Sequence, residues 1–122
     1  MAVYVSDLEK SRQFFARFFG AVSNSGYHNS RTGLRTYFLT FADGARLEIM
    51  HRPDVGPGER GAESTGYHHL ASRIGIRQEV DDLTEKLRQA GYPVVSGPRT
   101  TGDGYYESCV LDDEQNRIEI TA

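Results

Sequence analysis

The chain has 122 residues, 38% of them apolar, and a formal net charge of −3, a size that suits one domain. No apolar run approaches the ~18 residues of a spanning helix and no cluster of Lys and Arg stands ready for a phosphate backbone, so neither a membrane nor a nucleic acid is expected as partner. A single cysteine, Cys109, excludes an internal disulfide and a cysteine zinc site, and Asp7, Glu9 and Lys10 arrive too early for a secretory leader, which makes the cytoplasm the expected location.

In chain order, Ala2 to Ser6 reads as a short strand, and Asp7 offers an N-cap to a helix carried by Leu8, Ser11, Phe15, Phe18 and Phe19 at spacings of three and four. Gly20 closes that helix. Strand-like segments follow at Ala21 to Tyr27, Arg35 to Phe41 and Arg46 to Met50, the last two joined by the hairpin signal Asp43-Gly44. The Pro- and Gly-rich stretch from Arg52 to Gly66 has no periodicity and reads as a linker. The same order then returns. Tyr67 to Ile74 is a strand, Val80, Leu83, Leu87 and Ala90 mark a helix ended by Gly91, and Pro93 to Ser96 is a short strand. Gly97 to Gly104 reads as a loop, and Tyr105 to Leu111 with Arg117 to Thr121 as a final hairpin. Within it Cys109 lies in the apolar run Ser108 to Leu111 and reads as a small core residue.

The two halves align residue by residue. Arg46-Leu47-Glu48-Ile49 lies over Arg117-Ile118-Glu119-Ile120, so that Glu48 and Glu119 stand 71 positions apart, as do the helix-closing Gly20 and Gly91. Ala2 lies over Ala71, with two residues of loop variation between strand and helix. The expected fold is therefore α+β, a single domain of two βαβββ modules: module one 1–52, a linker 53–65, and module two 66–122.

Strand alternation sorts the side chains by face. Leu47, Ile49, Ile118 and Ile120 must meet the helices, which leaves Glu48 and Glu119 on the opposite face, with His69 on that face of the second module's opening strand. Two carboxylates and an imidazole are a donor set for Zn, Ni, Co, Mn or Fe(II). The bland alternative for each glutamate is a salt bridge with Arg46 or Arg117. His68 alternates with His69 and is expected to face away, as is His51 from Glu48, and His28 lies in a polar run.

The segments Val3-Tyr4-Val5-Ser6-Asp7-Leu8, Phe14-Phe15, Phe19-Gly20, Leu47-Glu48-Ile49, Gly66-Tyr67-His68-His69-Leu70-Ala71, Gly97-Pro98-Arg99 and Asn116-Arg117-Ile118-Glu119-Ile120 resemble the vicinal oxygen chelate superfamily, the glyoxalase/bleomycin-resistance/dioxygenase group, over nearly the whole chain. The resemblance implies curled sheets around a cleft, a divalent metal held by strand residues, and pairing of chains as a homodimer. The glyoxalase I-like pattern of His, Glu, His and Glu is matched by Glu48, His69 and Glu119; its first His would fall two positions before Ala2, ahead of Met1. The resemblance further implies a lyase or isomerase that polarises a small α-oxo or vicinal-oxygen substrate, with Glu119, and after it Glu48, shuttling the proton. Tyr4 stands where glyoxalase I enzymes carry the Arg that grips glutathione, which argues against that substrate, and Glu48 stands where ring-cleaving dioxygenases need a His. Arg99, Tyr105 and Tyr106, with Tyr4, are the expected substrate contacts, and Glu107 is a spare carboxylate beside them. The alternative is a non-catalytic protein of the bleomycin-resistance branch that binds a flat, antibiotic-type small molecule on its tyrosines.

Overall fold

A computed structural model describes residues 1–58 and 65–122. The expected linker 53–65 is described only in part, because its residues 59–64 lie outside this range. The chain divides into two compact units, Met1–Arg60 and Gly61–Ala122. No described helix is long and apolar enough to cross a membrane.

The first unit contains β1 (Ala2–Tyr4), α1 (Leu8–Phe19), β2 (Val22–Ser23), β3 (Tyr27–His28), β4 (Arg35–Thr40) and β5 (Arg46–His51). Asp7 caps α1 by accepting the N–H of Lys10 at 2.9 Å, and Gly20 ends it in the left-handed conformation. Leu8, Phe14, Phe15 and Phe18 are buried on one face of α1 and meet the apolar side of the sheet, where Leu39, Leu47 and Ile49 are buried. Each such aliphatic or aromatic side chain contributes about 1.5–3 kcal/mol by leaving water. The strands run in the order β1-β5-β4-β2, with β3 also paired to β4. The segment from Ala21 to Tyr27 is thus two short strands rather than one.

The second unit contains β6 (His69–Arg73), α2 (Arg77–Gln89), β7 (Val94–Thr100), β8 (Tyr106–Leu111) and β9 (Arg117–Thr121). Its strand order, β6-β9-β8-β7, repeats that of the first unit. The register repeats as well. β1 pairs parallel with β5 so that Ala2 lies opposite Glu48, and β6 pairs parallel with β9 so that Ala71 lies opposite Glu119. Val80, Thr84 and Leu87 of α2 are fully buried over Ser108, Val110, Ile118 and Ile120. The two hydroxyls in this layer satisfy each other, Thr84 Oγ1 to Ser108 Oγ at 2.6 Å.

Two expectations fail here. β7 does not stop at Ser96 but continues to Thr100, with Arg99 paired to Glu107 of β8 across an irregular register. Gly97 and Pro98 are turn formers by composition, yet β7 is the edge of its sheet, where a proline costs no ladder hydrogen bond. Cys109 is not a core residue. Its neighbours Ser108 and Val110 are the buried pair, and alternation turns Cys109 to the other face, opposite Glu119.

The β4–β5 and β8–β9 turns are equivalent, but their left-handed residue differs: Gly44 (φ 88°) in the first and Gln115 (φ 64°) in the second. A side chain in that conformation costs about 1–2 kcal/mol, partly offset by the roughly 0.5–1 kcal/mol of extra chain freedom a glycine loses on folding. Gln115→Gly is therefore expected to stabilise the protein by about 0.5–1 kcal/mol, seen as a higher melting temperature.

Asp112 anchors the same turn from a buried position. Its carboxyl accepts from the N–H of Glu114 (2.9 Å), the N–H of Asn116 (2.8 Å) and Asn116 Nδ2 (2.9 Å). Burial pushes its pKa above the ordinary carboxylate range, against the pull of the Asn116 hydrogen bonds. The native state thus holds this proton more tightly than the unfolded chain. The contribution to stability is full below the ordinary value of 3.8 and fades as pH rises through the elevated one. Asp112→Asn should flatten that stretch of the stability–pH curve, measured as denaturant midpoints, whereas Asp112→Ala should cost about 1–3 kcal/mol by orphaning buried donors.

Candidate functional site

With one face of each sheet covered by its helix, the other face carries the polar chemistry. In the first unit, Glu48 is half-buried on β5. It is flanked by Arg46, whose guanidinium lies over the Phe38 ring at 4.4 Å rather than forming the ion pair that was the alternative to a ligand role. Tyr4 shares this face and is 38% exposed, with Arg52 as hydrogen-bond partner of its hydroxyl. His51 turns away, its Nδ1 3.2 Å from the carbonyl of Val5.

In the second unit, the ladder places His69, Arg117, Glu119, Cys109, Glu107 and Arg99 on one face of neighbouring strands. His69 Nε2 stands 3.4 Å from Glu119 Oε2. Glu107 and Glu119 share a hydrogen bond; desolvation first, and then the charge of Glu119, push the Glu107 carboxyl above its ordinary range, while Arg99 pulls it back. Burial pushes the Cys109 thiol up as well, so it is a protonated, unreactive thiol in this setting.

His68 behaves differently from its expected place. It precedes the first paired residue of β6, so alternation does not bind it, and its ring swings to the side of His69. His68 Nδ1 lies 3.0 Å from His69 Nδ1, and Arg117 donates from an Nη to His68 Nε2 at 3.1 Å. Arg117 is therefore engaged with His68, and Glu119 with His69 and Glu107.

The expected substrate contacts separate. Arg99 lies on the polar face, facing Glu107. Tyr105 is 58% exposed in the β7–β8 turn. Tyr106 is turned to the helix side, where its hydroxyl donates to Asp81 at 2.6 Å and Arg77 lies over its ring at 5.0 Å. Tyr106 thus clamps α2 to the sheet and is not on the polar face. Sequence reasoning gave His68 and Arg117 no part in the site. The only available signal for His68 was its adjacency to His69.

Whether these residues suit a metal is a question of donor spacing. Two ligands each about 2.0–2.2 Å from one ion stand roughly 3.0–3.4 Å apart in octahedral to tetrahedral arrangements, and the His69–Glu119 separation lies in that range. The pair fits two positions of a coordination shell. Among the described residues, no group of three His, Cys, Asp or Glu side chains is gathered closely enough to hold an ion.

The comparisons with known proteins agree with the repeated strand order. YqjT of Bacillus subtilis (strain 168), itself uncharacterized, is 29% identical across 98% of this chain and 94% of its own. A glyoxylase/bleomycin resistance protein/dioxygenase domain from Frankia sp. EAN1pec superposes with a TM-score of 0.83 at 15% identity, covering 99% of this chain and 92% of that one. A mutant of the fosfomycin resistance protein FosX from Listeria monocytogenes, complexed with Mn(II) and 1S,2S-dihydroxypropylphosphonic acid, superposes with a TM-score of 0.78 at 23% identity, covering 100% of this chain and 88% of that one. A mutant of glyoxalase I from Zea mays gives 0.81 at 18% identity, covering 98% of this chain and 42% of that longer one. At these identities the three structures share its fold. Residues 1–120 match the family description itself, and the chain belongs to the glyoxalase/bleomycin resistance protein/dioxygenase superfamily.

Proposed function

We propose that this protein is a divalent-metal-dependent lyase or isomerase of glyoxalase I type, acting on a small α-oxo or vicinal-oxygen substrate. The observation that carries the reading is the His69–Glu119 pair, 3.4 Å apart on the polar face of the second sheet. Water and the substrate's oxygens would complete the shell around such an ion. Mn(II) in the FosX complex supports a divalent ion, with Ni, Co, Zn and Fe(II) as the other candidates for this donor set. The bound ion supplies Lewis-acid polarisation of the substrate's paired oxygens.

The protein's own groups do the rest. Glu119 takes a proton from the carbon beside a carbonyl. Glu107, already hydrogen-bonded to it, receives or returns that proton. Arg99 on the neighbouring strand and Tyr105 in the adjoining turn hold an anionic substrate in place. We further propose that a second copy of the chain is its partner in a homodimer, which light scattering would show as a doubled mass.

The test is a calorimetric titration of the purified protein with Mn(II), Zn(II), Ni(II) and Co(II), alongside native mass spectrometry. One divalent ion per chain is the expected result, and no uptake of any of them overturns the reading. A second reading, a non-catalytic binder of flat ligands, draws support from Tyr67, 96% exposed beside His68, and from Tyr105. It predicts ligand-dependent thermal stabilisation that persists in chelator.

A further inference from the structure

The ring nitrogens of His68 and His69 can be assigned from their partners. A guanidinium only donates, so Arg117, 3.1 Å from His68 Nε2, requires that nitrogen to be an acceptor without a proton. His68 then carries its proton on Nδ1 and donates it to His69 Nδ1 at 3.0 Å. His69 Nδ1 is thereby an acceptor, and its proton sits on Nε2, the nitrogen that faces Glu119 Oε2 at 3.4 Å. The donors run one way, from Arg117 through His68 to His69, and leave the Nε2 proton of His69 on the side of Glu119. No other assignment of neutral rings satisfies both hydrogen bonds.

We infer that His68, oriented by Arg117, is a positioning residue that sets which ring nitrogen of His69 carries the proton. The inference deepens the proposed role of His69 and rests on it only for its consequence. An imidazole that gives its Nε2 lone pair to a cation keeps its proton on Nδ1 and needs an acceptor there. In this chain the acceptor is His68 Nδ1. His68 can fill that role once its own proton moves to Nε2, which Arg117 must vacate. Arg117 therefore holds the pair in its metal-free arrangement, and His68 is the outer partner of the loaded one. The two rings, 5.3 Å apart and nearly perpendicular, need no backbone change to exchange roles.

The experiment is a long-range ¹H–¹⁵N correlation spectrum of the metal-free protein labelled at histidine, recorded well above the ordinary imidazole pKa of about 6.5. Wild type is expected to show His69 with its proton on Nε2 and His68 with its proton on Nδ1. In His68→Phe and in Arg117→Leu, the His69 signal should become a mixture of both tautomers. Both substituted side chains lie at the surface or half-buried, and circular dichroism confirms that each variant is folded. A wild-type His69 protonated on Nδ1, or a His69 tautomer unmoved in both variants, overturns the inference. Titration with Mn(II) adds the second readout. His68→Phe should weaken binding about 10-fold or more, His68→Gln, whose amide oxygen accepts, should recover part of that loss, and Arg117→Leu should tighten binding. If no protein takes up metal while the tautomers shift as described, the metal reading falls and the positioning role of His68 stands.

Discussion

Glu119→Ala is expected to reduce divalent-metal affinity by more than the roughly 10–100-fold that loss of a ligand's own hydrogen-bond partner costs, because it would remove one of the two proposed ligand atoms. His69 Nε2 and Glu119 Oε2 are held 3.4 Å apart by adjacent, parallel β6 and β9, and strands buried on their other face by Ile118 and Ile120 leave little freedom to rebuild the pair. With Glu119 gone, Glu107 remains on the same face, but it hangs from β8, opposite Thr121 rather than beside His69. The same change should bring the Glu107 pKa down, since the Glu119 charge is one of the causes that raise it. Calorimetric titration measures the first effect and carboxyl-labelled NMR the second. Glu107→Gln is the control and should retain the metal. Undiminished affinity in Glu119→Ala would remove the proposed centre from β9.

The second large effect is expected at Gly97, through packing alone. Gly97 has φ of 75° in the middle of β7, a region an L side chain rarely enters, and a Cβ placed there would run into the carbonyl oxygen of Glu107 and stand 3.0 Å from Ser108 Cα. Both obstacles are backbone of β8, which cannot rotate aside. Gly97→Ala should therefore destabilise the protein by about 3 kcal/mol or more, placing it in the tail of single-substitution effects tied to backbone strain. The loss should appear as a lower denaturant midpoint. Because β7 carries Arg99 against Glu107, the variant should also lose the alignment of those two groups. A midpoint unchanged from wild type would show that the β7–β8 pairing does not need so close an approach.

Much of the architecture is written in local pattern. The Phe-rich periodicity of α1, the alternation in β5 and β9, and the Arg-aliphatic-Glu-Ile repeat each depend only on neighbours in the chain. They place Glu48 and Glu119 on the helix-free faces without reference to any distant contact. The coincidence of Gly44 and Gln115 in one backbone conformation belongs to the same repeat, although composition alone marks only the glycine as a turn former.

What the tertiary structure decided are the features that local pattern does not govern. β7 passes through Gly97 and Pro98 because an edge strand tolerates a missing donor and β8 demands a residue without a side chain. Tyr106 belongs to the helix side because Asp81 and Arg77 of α2 wait there for it. His68 joins His69 because the strand's alternation begins only at the first paired residue, leaving the ring before it free to turn toward Arg117. Alternation is enforced by hydrogen bonds between strands. Sequence therefore determines the face of a residue inside a ladder, whereas at an edge, an irregularity or the last step before pairing the partners across space choose.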